Sequence, residues 1–260
     1  MEYPPFANEP LSDFSDPARR ATFAHTLARV DAELGPTWSR SMLIGGEKVE
    51  TGAWLESHDP TTPSRVVGRV ATATPELADA AVAAAAKAFT TWSRVPVADR
   101  AALVAKVSAI IRDRRDEFSA TMVVEAGKTW GEADADAAEA VDFCELYLRD
   151  AIRLSGPQPV SHRPGTRNRF IYMPMGIGVI IPPWNFPLAI TVGMTMSAVV
   201  TGNVAIVKPS SLTPIIAAKF IDACLEAGIP DGVVNFLPGP GEQVGMRLVE
   251  HPGVRFISFT

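Results

Sequence analysis

The sequence predicts an α/β fold built on a parallel sheet, and three observations carry that expectation. Short apolar runs that read as strands, Gly178 to Ile181, Val204 to Val207, Val233 to Leu237 and Phe256 to Phe259, recur at regular intervals. Between them lie helix-length stretches starting near Leu188, Pro214 and Gly241, and such alternation marks right-handed βαβ units in a parallel sheet. The run from Met173 to Val207 contains no charged side chain, and Pro182, Pro183 and Pro187 cut it into an apolar strand, a loop and a helix from Leu188 to about Val200. Neither apolar piece reaches the roughly 20 unbroken residues that a bilayer span needs, so both are read as buried core. Finally, 260 residues with 47% hydrophobic content suffice for a large core in one or two domains.

The elements before this repeat follow in order. Asp16-Pro17 is a helix start, and Phe23, Leu27, Val30 and Leu34 recur at helical spacing until Gly35-Pro36 stops the run. Met42 to Ile44 and Lys48 to Glu50 flank Gly45-Gly46, a favoured two-residue hairpin turn. Thr74-Pro75-Glu76 opens an alanine-rich helix to about Trp92, and helical patterns cover Val97 to Arg115, Asp116 to Ala126 and Gly131 to Leu154. The segment from Gly156 to Arg169, rich in Pro, His and Arg, reads as an exposed hairpin or linker. The expected division is a helical region with a small hairpin over 1–155, a β arm over 156–172, and a sheet core over 173–260. The fourth strand of the repeat reaches Thr260, so the core is expected to be truncated at an edge strand.

Charge and cysteine content exclude several classes. Lys and Arg total 24 against 29 Asp and Glu, a formal charge of −5, with no long basic block. Nucleic acid and anionic membrane surfaces are therefore not expected as partners. The first residues lack the basic and apolar regions of a secretory signal, and the two cysteines suit a reducing cytoplasm. Cys144 and Cys224 fall within helical patterns and read as small buried hydrophobes rather than nucleophiles. The four histidines are scattered, and no metal is expected. The acidic stretch Glu132, Asp134, Asp136, Glu139, Asp142, Glu145 reads as a solvated helix face.

Three segments could carry chemistry. Trp184 and Asn185 sit just past the carboxyl end of a buried strand, the edge at which open α/β sheets bind ligands. The Asn185 amide could donate to a developing oxyanion beside the flat wall of Trp184, or it could satisfy loop backbone. Lys208-Pro209-Ser210-Ser211 precedes Thr213-Pro214, an N-cap and first helical residue. A lysine with two hydroxyls there suits ribose hydroxyls or a phosphate; the alternative is a solvent-facing lysine that ends a strand. Pro238 to Gly245 lies between a strand and a helix, but its G-x-G-x-x-x-G spacing is one residue longer than the usual dinucleotide fingerprint. A Gly/Pro loop packed against the sheet is the other reading.

At Pro183-Trp184-Asn185-Phe186-Pro187, Gly202-Asn203, Lys208-Pro209-Ser210 and Gly228-Ile229-Pro230-Asp231-Gly232-Val233-Val234-Asn235, the sequence resembles the NAD-binding region of the aldehyde dehydrogenase superfamily. Glu125-Ala126-Gly127-Lys128, Glu132 to Asp136, Val141-Asp142-Phe143 and the double proline before Trp184 resemble the branch that oxidises L-glutamate γ-semialdehyde to L-glutamate in proline breakdown. The resemblance covers nearly the whole chain and is weakest in its first 35 residues. It implies a Rossmann-like NAD-binding core. Ile181, Pro183 and Trp184 would line the nicotinamide half of the cleft; Lys208 and Ser211, with Ser210 in the same loop, would face the adenosine ribose; Gly241 would admit the adenine side or the pyrophosphate. Asn185 would donate to the thiohemiacetal oxyanion, and Phe186 would wall the aldehyde tunnel. Many NAD-specific relatives carry a glutamate where Ser211 stands, so NADP is expected to be accepted beside NAD. The resemblance also places the nucleophilic cysteine and general-base glutamate beyond Thr260, makes these 260 residues inactive alone, and implies a homo-oligomeric complete enzyme that uses the arm in assembly. The rival expectation is a catalytically silent nucleotide-binding or regulatory module.

Overall fold

The structure is a computed structural model that describes residues 3–260; Met1 and Glu2 of the expected N-terminal region lie outside the described residues. The helices are α1 (Pro17–Glu33), α2 (Pro75–Trp92), α3 (Val97–Asp113), α4 (Arg115–Ala126), α5 (Trp130–Ser155), α6 (Ala189–Val200), α7 (Pro214–Glu226) and α8 (Met246–Glu250), the last preceded by a π-helical turn over Gly241–Gly245. The strands are β1 (Ser39–Arg40), β2 (Met42–Ile44), β3 (Glu47–Val49), β4 (Trp54–Asp59), β5 (Thr62–Ala71), β6 (Ile177–Ile181), β7 (Val204–Val207), β8 (Val234–Phe236) and β9 (Val254–Phe259). The fold is the mixed α/β arrangement the sequence predicts.

Local chemistry sets most boundaries. Asp16 accepts from the Ala18 N–H with Pro17 at the first helical position, and Thr74 accepts from the Leu77 N–H ahead of α2. A reciprocal capping box of Thr129 and Glu132 opens α5. Gly127, at φ 65°, closes α4 in the left-handed conformation that glycine adopts without strain. The helix expected from Val97 to Arg115 stops at Asp113.

A six-stranded sheet has the order β3-β2-β8-β7-β6-β9. Strands β8, β7, β6 and β9 are parallel, and the N-terminal hairpin of β2 and β3 joins them antiparallel through Leu43 opposite Phe236. The four strands of the repeat fall where expected, and β9 is the edge. From β6 the chain steps outward through β7 to β8, then crosses back to lay β9 on the other side of β6. The order therefore reverses at β6, and the loops after β6, β7 and β8 share one edge. Crevices at such switch points are where open α/β sheets take ligands.

Four sequence expectations need correction. Residues 54–71, for which no strand is expected, form the β4–β5 hairpin of a second, three-stranded sheet ordered β1-β5-β4. Pro60 and Pro63 interrupt its alternation, and the register shifts near His58 break the period-two pattern. The segment 156–172 turns back at Arg163 to Thr166, where the Thr166 N–H donates to the Arg163 carbonyl at 3.1 Å, but no β ladder forms in it. Phe170, Ile171, Tyr172 and Met173 are left exposed there.

The third correction concerns the acidic stretch, which beyond the exposed Glu132 is not a solvated face. Asp134 and Asp136 are each 1% exposed. Asp134 accepts from Ser12 and Arg115, Asp142 from Asn8 and the Glu9 N–H, and Glu145 from Ser108 and Arg149. The reason is that α5 packs against α3, α4 and α6 and carries the N-terminal arm, so little of its circumference meets water. Fourth, Thr213 makes no side-chain capping bond at α7. Its φ of −141° and ψ of 53° are far from the extended geometry of the Thr74 and Thr129 caps. The carboxylate of Glu125 accepts the Ile215 and Ile216 N–H groups instead, at 2.7 and 2.8 Å.

Candidate functional site

The Pro182–Pro187 loop leaves the carboxyl end of β6 at the switch point. Ile181 and Pro183 are half-buried, whereas Trp184 and Phe186 are 54% and 44% exposed. Asn185 between them is exposed, and its side chain makes no hydrogen bond among the described residues. Two exposed aromatic rings thus flank an exposed amide at this edge.

The loop after β7 lies alongside. The Lys208 N–H donates to the Ile180 carbonyl at 2.9 Å, which sets the ends of β6 and β7 level. Lys208 is 7% exposed, so it is not the solvent-facing strand end of the alternative reading. Its ammonium reaches only the Pro209 carbonyl, at 3.3 Å, and no carboxylate pairs with it among the described residues. Burial pushes its pKa below the ordinary lysine value. A buried cation without a counter-charge is costly unless a ligand supplies one. Ser210 caps the following turn by accepting from the Leu212 N–H at 3.2 Å, and Ser211 is exposed.

The glycine turn after β8 meets this lysine. A Cβ on Gly245 would lie 3.3 Å from Lys208 Cε, and one on Gly239 would lie 2.8 Å from Val244 Cγ2. Those two glycines serve close packing, as the packed-loop reading has it. Gly241 differs: a Cβ there would meet nothing within 4 Å, so its backbone is open to an approaching group. The open glycine, the buried lysine and the exposed loop lie together at one sheet edge.

Three residues passed over in the sequence stand behind this edge. Asp136 accepts the Ala189 N–H at 2.6 Å and pairs with Lys128 at 2.6 Å, and the Lys128 ammonium lies 4.4 Å from the centroid of the Phe186 ring. Burial raises the Asp136 pKa, and Lys128 opposes the rise. Glu125 holds the start of α7 and also accepts from Ser57 at 2.8 Å. The signal that could have located these carboxylates is negative. Leu188, ahead of α6, has no side-chain acceptor, and the exposed first-turn amides of a buried helix must find one.

Cys144 and Cys224 are buried, and burial pushes both thiols well above the ordinary cysteine value. Among the described residues, no cluster of three or more His, Cys, Asp or Glu could hold a metal ion and no helix is long and apolar enough to cross a membrane.

Comparison with known proteins agrees with this geometry. Residues 48–260 match the model of the aldehyde dehydrogenase family. The chain is 50% identical over 256 residues to 1-pyrroline-5-carboxylate dehydrogenase of Geobacillus thermodenitrificans, covering 98% of this chain and 49% of that protein. The protein of the same name from Anoxybacillus flavithermus is 48% identical at the same coverage. Among solved structures, Thermus 1-pyrroline-5-carboxylate dehydrogenase with bound NAD superposes with a TM-score of 0.95 at 46% identity, over 99% of this chain and 50% of that one. The chain spans about half the length of the relatives it matches. With a family match over most of its residues and a fold that follows the same course, the chain belongs to the aldehyde dehydrogenase family.

Proposed function

We propose that this chain is the cofactor-binding portion of an NAD-dependent enzyme that oxidises L-glutamate γ-semialdehyde to L-glutamate. The observation that carries the reading is Asn185: exposed, free of other hydrogen bonds, and flanked by two exposed aromatic rings at the switch point of the sheet. The names of the relatives support the substrate, and the Thermus structure supports NAD.

In this reading the Asn185 amide donates to the oxygen of the tetrahedral adduct, where negative charge develops. Phe186 walls the aldehyde, and Trp184, Ile181 and Pro183 keep water from the nicotinamide side. Lys208 and the Ser210–Ser211 hydroxyls hold the adenosine ribose, and Gly241 admits the backbone to the adenine side or the pyrophosphate. Bound NAD supplies the hydride acceptor. Both thiols here are buried and raised in pKa, so neither serves as the nucleophile; the resemblance assigns the thiolate and the general base to residues outside this chain. Assembly through the 156–172 arm into a homo-oligomer, acceptance of NADP, the division at residues 155 and 172, and residence in the cytoplasm belong to the same proposal.

The test is Asn185→Ala in the full-length protein. Loss of one oxyanion donor should lower kcat by about 10²- to 10³-fold, with NAD affinity unchanged in a titration. An unchanged kcat would reduce Asn185 to a loop residue.

A further inference from the structure

We infer that Asp136 and Lys128 are positioning residues for the Pro182–Pro187 loop, an inference that rests on the oxyanion reading of Asn185. Helix α6 begins only a few residues after Asn185, and nothing in its own sequence caps it. Asp136, two turns into the neighbouring α5, takes that task. One of its oxygens accepts the Ala189 N–H at 2.6 Å, and the Leu188 N–H contributes to the same site. The other oxygen accepts from Lys128 Nζ at 2.6 Å. The same ammonium lies 4.4 Å from the Phe186 ring centroid, within range of cation–π attraction.

Asp136 therefore grips the loop twice, through the start of the helix and, by way of Lys128, through the ring next to Asn185. The loop adds its own closure, since the Ile190 N–H donates to the Phe186 carbonyl at 3.3 Å and Thr191 Oγ1 donates to the Pro187 carbonyl at 2.5 Å. The Asp136 side chain is fully buried, and a carboxylate in such a place is favourable only when its partners are held in good geometry. Here those partners are the first turn of α6, into which the loop runs, and the Lys128 ammonium that faces the loop's Phe186 ring. Fixing the loop fixes the direction of an amide that has no hydrogen bond of its own to hold it.

The experiment compares Asp136→Asn, Lys128→Met and the double variant in the full-length protein. Asparagine keeps an acceptor for the Ala189 N–H but turns an amide toward Lys128, so the helix cap survives while the grip on Lys128 is lost. Each single variant should lower kcat by about 10- to 100-fold, the scale of a misplacement near 1 Å. NAD affinity and the aldehyde KM should stay within about threefold, a split that a merely structural defect would not produce. Because both residues act through one relay, the double variant should be little worse than the poorer single one. Asp134→Asn, on the same helix but tied to Ser12 and Arg115, should leave kcat unchanged. Should Asp136→Asn fail to fold, Lys128→Met alone decides. The inference is overturned by unchanged kcat in Lys128→Met, by effects that multiply in the double variant, or by a loss confined to the aldehyde KM, which would make Lys128 a substrate contact. If Asn185→Ala itself leaves kcat unchanged, the oxyanion reading falls and this inference with it; if only Asn185→Ala lowers kcat, the positioning role alone is wrong.

Discussion

Replacing Glu125 by glutamine alters a fully buried site whose hydrogen-bond partners among the described residues are the Ile215 and Ile216 N–H groups and the Ser57 hydroxyl. Burial pushes the Glu125 pKa up from 4.5 to about 7, against the pull of those donors and of Lys219. The folded chain then binds a proton at this site that the unfolded chain has released, so between about pH 4.5 and 7 its contribution to stability falls as pH rises. The two values differ by 2.5 units, which at 1.36 kcal/mol per unit makes about 3 kcal/mol across that window. Glutamine has no such titration, although its NH₂ faces one of the helix amides and forfeits a hydrogen bond. Urea unfolding of both proteins from pH 4.5 to 8 isolates the effect, because other titrating groups cancel in the difference. The stability of the wild type relative to Glu125→Gln should drop by about 3 kcal/mol on going from the acid to the alkaline end. Parallel curves would show that Glu125 stays ionised throughout and that its hydrogen bonds outweigh its burial.

Two further outcomes concern the cofactor loop and the thiols. In the full-length protein, Ser211→Glu should cut kcat/KM for NADP about 10- to 100-fold while sparing NAD; two like charges 4 Å apart repel by roughly 4 kcal/mol at an effective dielectric of 20, and exposure and salt reduce that figure. Equal losses for both cofactors would mean that this loop does not read the ribose. Neither Cys144 nor Cys224 should react with a thiol reagent in the folded chain at pH 8, and both should react in denaturant; rapid labelling of the native chain would reopen the question of a nucleophile within these residues.

Strands β6, β7 and β8 were legible because they are buried on both faces, which leaves an unbroken signal such as Val204 to Val207. The helices opened by Asp16-Pro17 and Thr74-Pro75 were legible from their own caps, whereas the sequence reading passes over the Thr129–Glu132 capping box of α5 and expects that helix only from Gly131. Lys208 and Asn185 were legible as positions at strand ends, but sequence could not say whether either was committed elsewhere; the missing hydrogen bonds and counter-charge are properties of the fold. The β4–β5 hairpin was hidden by its prolines and bulge. The buried carboxylates were hidden because a charged residue on a helix looks solvated until the packing around the helix is known. Asp134 and Asp142 are received by the N-terminal segment and Asp136 by the start of α6.

The borrowed caps of α6 and α7 have a consequence for cooperativity. The carboxylate that starts α6 lies 53 residues away in the chain, and the one that starts α7 lies 90 or more away. Residues 173–260 contain a strand-helix repeat that looks modular, yet both helices flanking the cleft have their first turns completed by α4 and α5. Local opening of α4 would strip the first turn of α7 of its acceptor, and opening of α5 would do the same to α6, so each helix start is coupled to the helical layer beneath it. Amide protons at Ala189, Ile215 and Ile216 thus belong with the slowest-exchanging core rather than with fraying helix ends. Helix starts that ordinarily loosen first are here tied to the stability of the whole chain.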